Sequence, residues 1–154
     1  VTDGKIFFLG VDPGKSGGIA LLESGATNPI IFGMPETEKD ISDIFKEYGG
    51  SVKIAMIEKV NAMPRQGVVS MFTFGKIYGF LRGMLTAHEI PFDDVLPAEW
   101  QKALKCLSRG DKNITKQKAQ QLFPGLKITH KTADALLIAE FCRRKFELNY
   151  ENKE

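Results

Sequence analysis

The stretch Phe7 to Leu22, FFLGVDPGKSGGIALL, decides the fold. It carries one carboxylate, Asp12, from an apolar run into a glycine-rich turn. A phosphate-binding loop of the Walker type needs glycine five positions before the Gly14 of GKS, and Leu9 stands there. The dinucleotide fingerprint fails as well, because Gly14, Gly17 and Gly18 have the wrong spacing. What remains is a strand, Ile6 to Asp12, whose last residue is an acid, and a hairpin partner reading GGIALLES after the Pro13–Gly18 turn.

The rest of the chain supplies the context. NPIIFGMP reads as a short third strand, and EKDISDIFKEYG as a helix with Ile41, Ile44, Phe45 and Tyr48 on one face, stopped by Gly49–Gly50. SVKIAMIEKV is a strand in which Val52, Ile54, Met56 and Glu58 share a side. A long helix follows over RQGVVSMFTFGKIYGFLRGMLTAHE, with Gly75, Gly79 and Gly83 at every fourth residue. IPFDDVLP gives a fifth strand, and PAEWQKAL and ITKQKAQQLF give two short helices, the second with Thr115 as its expected cap. A final helix is expected from about Thr132 to Phe146, with a polar tail over about 147–154. This order predicts one α/β domain spanning 1–154, a mixed five-stranded sheet flanked by helices.

Composition agrees with that size. The 154 residues are 43% apolar, enough for a proper core. A net charge of +2 announces no global affinity for nucleic acid, so any basic surface must be local. Two cysteines, Cys106 and Cys142, read as reduced thiols of an intracellular protein. The start of the chain lacks a basic region followed by a long apolar core, so no signal peptide is expected. The greasiest stretch, Val68 to Leu85, contains Lys76 and Arg82, which argues against a membrane span and for a cytoplasmic protein.

Three acids stand where protein should surround them. Asp12 ends the first strand, Glu58 ends a central one, and Asp134 lies in TADALLIAEF on the face of Leu137, Ile138 and Phe141. Each has a bland reading. Asp12 can cap its turn, Glu58 can pair with a neighbouring lysine, and Asp134 can answer a helix dipole. A shared site explains all three at once. Buried carboxylates need a compensating cation, and without cysteine nearby the choice is a hard ion, Mg²⁺ or Mn²⁺. Such an ion supports in-line phosphoryl displacement, hence phosphodiester hydrolysis.

The segments GVDPGKSGGIA, AMIEKV and HKTADALLIA, in that order and spacing, resemble the RuvC-type Holliday junction resolvases of the RNase H-like superfamily, particularly the smaller phage forms. The likeness runs from about Lys5 to Phe146 and implies an RNase H-like fold. It further implies a homodimer in a phage-infected or bacterial cell that nicks four-way DNA junctions in symmetric pairs with Mg²⁺. Asp12, Glu58 and Asp134 match three of that family's metal-binding acids. At the family's usual fourth ligand this chain has Lys131, preceded by His130. Two hypotheses follow: the Lys131 ammonium replaces part of a second metal's charge, or His130 swings in as a ligand. A surface lysine beside a helix start is the alternative. By position, Lys102 and Lys116 resemble family lysines that approach the scissile phosphate.

Lys102, Lys105, Arg109, Lys112, Lys116 and Lys118 face a single acid, Asp111, between residues 102 and 118. This run predicts phosphate contact, against the plain alternative of a solvated face. Lys15 and Ser16 in the Asp12 turn could touch phosphate or simply serve the hairpin. Arg65 and Gln66 sit where the chain enters the long helix and could reach a junction, with Met63 or Phe72 as a wedge or as core. The Gly75–Gly79–Gly83 stripe permits close approach by the sheet or by a partner subunit, and a two-fold dimer is expected there. Trp100 reads as core with an indole hydrogen bond. Three rivals remain: an actin-like kinase or ATPase, which normally needs two such domains; an RNA–DNA hybrid or branched-DNA nuclease on the same fold; and a junction-binding module with weakened catalysis.

Overall fold

The computed structural model describes residues 4–59 and 65–151, the last four as backbone only, so Met63 lies outside the described residues. Five strands form one sheet in the order β3-β2-β1-β4-β5. They are β1 (Phe7–Asp12), β2 (Gly18–Glu23), β3 (Ile30–Gly33), β4 (Val52–Glu58) and β5 (Phe92–Val95). β1, β2 and β3 pair antiparallel, whereas β4 runs parallel to both β1 and β5. The mixed α/β sheet is therefore as the sequence predicts.

Among the described residues, five α-helices cover the two faces: α1 (Glu38–Tyr48), α2 (Val68–Ala87), α3 (Pro97–Ala103), α4 (Lys112–Leu122) and α5 (His130–Glu151). Strand alternation divides the core. Phe7, Leu9, Val11, Ile19, Leu21, Ala55 and Ile57 meet Ile41, Ile44 and Phe45 of α1 and Leu81 and Leu85 of α2. Phe8, Ala20, Leu22 and Met56 point the other way, into α5 and the shorter helices. Asp12 and Glu58 continue this second parity, so both carboxylates belong to the α5 side of the sheet.

α5 lies unusually close to the strands. A Cβ on Gly10 would collide with the Ala135 carbonyl and the Ala139 amide, and one on Gly18 with the carbonyls of Phe32 and Lys131. Lys131, Ala135 and Ala139 recur every fourth residue, so one row of the helix, small in its middle, rests directly on glycine positions of β1 and β2. Asp134 sits beside that row.

Two local expectations are corrected. Asp111, not Thr115, caps α4, its side chain accepting from the Asn113 amide at 3.0 Å. Thr115 lies inside the helix and is buried. The final helix also runs beyond Phe146 to Glu151, so residues 147–151 are helical rather than a loose tail. Glu147 accepts from Ser24 Oγ at 2.6 Å, from the Gly25 amide at 3.1 Å and from Arg143 at 2.8 Å, which ties this turn to the end of β2. Cys106 and Cys142 are buried and free. Among the described residues, no helix is long and apolar enough to cross a membrane.

Candidate active site

β1 and β4 are hydrogen-bonded neighbours, and Asp12 and Glu58 each follow the Val11–Ile57 pair. Adjacent strands lie about 4.8 Å apart, so the sheet itself brings these two acids together. The turn after Asp12 is closed by Gly17 N–H donating to Gly14 C=O at 3.1 Å, with Gly14 at φ +111°. Any side chain at Gly17 would collide with the Asp12 carbonyl, so the turn tolerates only glycine there. Asp134, one turn into α5, completes the group from above.

The three acids act on one another. Burial pushes the Asp12 carboxyl well above the usual carboxylate range, helped by repulsion from Glu58 and Asp134. Burial likewise raises Glu58, to about 7; the Trp100 indole opposes this and Asp134 adds to it. Asp134 is raised by burial, while a hydrogen bond from Thr115 and the charges of Lys112 and His130 hold it down. Asp12 thus carries the repulsion of both partners and Glu58 that of Asp134. Because the three repel one another, their protons leave as a coupled set rather than independently. Lys112 lowers all three.

One hydrogen bond fixes Glu58: Trp100 Nε1 donates to its Oε2 at 2.7 Å. Thr115, whose hydroxyl donates to the Lys112 carbonyl at 3.3 Å, lines the same cleft as Asp134. The bland pairing of Glu58 with a lysine is therefore replaced by an indole. Among the described residues, no three His, Cys, Asp or Glu side chains stand close enough to hold a metal ion as they are. The acids share one electrostatic site without forming a ready coordination shell. The chemistry of the donor set still suits Mg²⁺ or Mn²⁺: three carboxylates, two at adjacent strand ends and one on α5, offer only hard oxygen ligands.

One groove opens beside Asp134, and a second, lined by none of the three acids, runs along α2. A cleft of about 340 Å³ is lined by Asp134, Thr115, Lys112, Arg109, Gln101 and Leu107 among others. Gln101 Oε1 accepts from the Ser108 amide at 3.0 Å and shapes the turn that carries Arg109, itself at φ 50°. The larger groove, about 810 Å³, runs past Lys15, Lys131, Lys76 and Phe72. Lys131 lies over Gly33 through its aliphatic stem and faces this second groove. Lys102 and Lys105 are exposed at α3 and just after it, Lys116 and Lys118 are partly buried on α4, and Lys118 acts on the Cys106 thiol. Lys112 and His130 supply the leading positive influences on the acids; Lys102, Lys116 and Lys131 are not among them. Ser16, Arg65 and Gln66 are exposed in their loops.

Gly75, Gly79 and Gly83 have nothing within 4 Å of where a Cβ would lie, so the stripe faces away from the sheet. Phe72 on the same helix is 75% exposed, and Val68 and Val69 are 84% and 80% exposed. The site contains two residues that the sequence does not single out: Lys112, one of six similar cations, and Thr115, an expected cap. Trp100 is the core residue with an indole hydrogen bond that the sequence predicts, and its acceptor is Glu58. Gly10 carried a usable signal, a glycine inside an apolar strand on the parity of Asp12.

No protein-family model matches the chain, and no curated protein matches it. Solved structures do. The chain is similar to RuvC of Thermus thermophilus in complex with a Holliday junction substrate, at 16% identity and TM-score 0.62, covering 92% of this chain and 96% of that one. A second Thermus thermophilus RuvC structure matches at 16% identity and TM-score 0.61, over 91% and 96% of the two chains. The yeast mitochondrial Holliday junction resolvase Ydc2 matches at 13% identity and TM-score 0.51, over 95% and 85%. The architecture is that of the RuvC resolvases, an RNase H-like fold.

Proposed function

We propose that this chain is a structure-specific endonuclease that resolves four-way DNA junctions by metal-assisted phosphodiester hydrolysis. The observation that carries this reading is the electrostatic coupling of Asp12, Glu58 and Asp134 beside the Lys112 cleft. The fold shared with a RuvC that was solved on a Holliday junction supports the choice of substrate.

Asp12, Glu58 and Asp134 would hold Mg²⁺ or Mn²⁺, which when bound supplies positive charge for the transition state of an in-line displacement. The chain's own residues do the rest. Lys112 and Arg109 line the cleft beside Asp134 and take the phosphate oxygens, Lys112 as a point charge and Arg109 as a planar fork. Trp100 holds Glu58 in place. Lys15 and Lys131 in the second groove meet the strand on the other side. In hydrolysis a water oxygen bonds to phosphorus, the ester P–O bond breaks, and a proton reaches the departing alkoxide.

A second copy, docked through the exposed Gly75–Gly79–Gly83 face of α2, would present two such sites to the near-symmetric arms of a junction. The spacing of the acids favours one other reading, a junction-binding module of low catalytic power. Synthetic junction, duplex and RNA–DNA hybrid, each incubated with protein and Mg²⁺ or Mn²⁺, separate the two. Paired nicks confined to the junction, absent from Asp12→Asn, support the nuclease. Tight junction binding with no cutting in either ion supports the module.

A further inference from the structure

We infer that Trp100 is a positioning residue for Glu58: its indole N–H takes one carboxylate oxygen and leaves the other, Oε1, to face the cation. This rests on the nuclease reading above. The chain is built so that the ring has little choice of place. Glu58 pairs with Val95 of β5, and the Lys59 amide donates to the Val95 carbonyl at 2.8 Å. α3 begins two residues later, at Pro97, whose missing amide suits a helix start. Trp100 is thereby carried one turn along a helix tethered to the same strand end as Glu58. It is fully buried among Phe8, Met56, Leu104 and the small residues of α5.

A buried indole N–H needs an acceptor, so the bond has a purely structural explanation too. The two explanations differ in what a phenylalanine would do. Trp100→Phe removes the donor and keeps an aromatic ring, and the only polar atom it leaves without its partner is Glu58 Oε2, the oxygen under test. If the bond merely satisfied the indole, Glu58 would bind a cation as before. If the bond orients Glu58, the carboxylate gains rotational freedom and the site loses affinity for the ion. Groups that hold a metal ligand in place are typically worth about 10–100-fold in affinity.

Trp100 is the single tryptophan of the chain, which makes its emission a direct reporter. Mn²⁺ binding is measured by calorimetry on wild type, Trp100→Phe, Glu58→Ala and the double variant, with thermal unfolding of each recorded alongside. We expect Trp100→Phe to bind Mn²⁺ at least 10-fold more weakly, and to cost nothing further in the Glu58→Ala background. Full additivity in the double variant, or wild-type affinity in folded Trp100→Phe, overturns the inference while leaving the nuclease reading intact. Should Trp100→Phe not fold, Mg²⁺ titration of tryptophan emission in the wild type decides: a shift that Glu58→Ala abolishes supports the inference, and unmoved emission overturns it. Wild type that binds neither ion nor cuts a junction removes the nuclease reading itself.

Discussion

Gly10 of β1 lies directly beneath Ala139 of α5, so close that a single added methyl group would strike the helix backbone. This contact sets the height of α5 above the sheet, and hence the height of Asp134 above Asp12. Gly10→Ala must lift or shift the helix. We expect a cost of about 3 kcal/mol or more in denaturant unfolding, together with loss of cutting. A variant of wild-type stability would show that the helix seat is softer than the packing implies.

Lys112 should matter more than its neighbours. Its charge reaches all three acids and it lines the cleft with Asp134. Lys112→Ala is expected to lower kcat on a junction roughly 100-fold, in the range of losing one charge-stabilising group. Lys102→Ala and Lys116→Ala should instead act mainly on binding. Because Lys112 holds the acids' proton affinities down, its removal also shifts the pH profile upward. Equal losses in all three variants would contradict this.

The pH dependence of stability follows from Glu58. A carboxyl whose folded pKa exceeds its unfolded one stabilises the fold fully below its ordinary value near 4.5, and that contribution disappears as pH rises through about 7. The shift corresponds to something on the order of 3 kcal/mol. Asp12 and Asp134 move in the same sense. In the absence of divalent ions, Glu58→Gln should therefore gain stability over wild type between pH 5 and pH 7.5, by roughly this amount. Mg²⁺ should stabilise wild type increasingly over the same window. Melting curves at matched ionic strength check both; parallel curves would dismiss the coupling.

The glycine stripe of α2 separates monomer from dimer effects. Gly83→Ala places a methyl group in open space, and an exposed helical glycine costs about 1 kcal/mol relative to alanine. The isolated chain should become more stable by that amount. If α2 is the contact between copies, the same change weakens self-association, read by sedimentation. A variant that is stabilised and associates as before would move the dimer contact elsewhere.

Much of this was legible in the one-dimensional pattern, for a physical reason. Strand parity is local, so the alternation in SVKIAMIE already placed Glu58 on the side of Met56. Asp134 was legible because helical spacing is local too. What escaped depends on distant chain segments. Thr115 looked like a helix cap because it is a good one, but Asp111 lies four residues earlier and captures the Asn113 amide. The extension of α5 to Glu151 rests on bonds from Glu147 to Ser24 and Gly25, more than a hundred residues away. The stripe of glycines showed that something could approach, not from which side. Lys112 could not be told from its neighbours until α4 was placed against α5.

Asp12 and Glu58 both follow the last rung, Val11–Ile57, of one hydrogen-bonded ladder, so main-chain bonding fixes the gap between them. Apolar residues of similar size can replace one another beneath such a pair without moving it. A chain organised in this way is free to rewrite its spelling while its backbone stays put, which is how an architecture can persist at 16% identity.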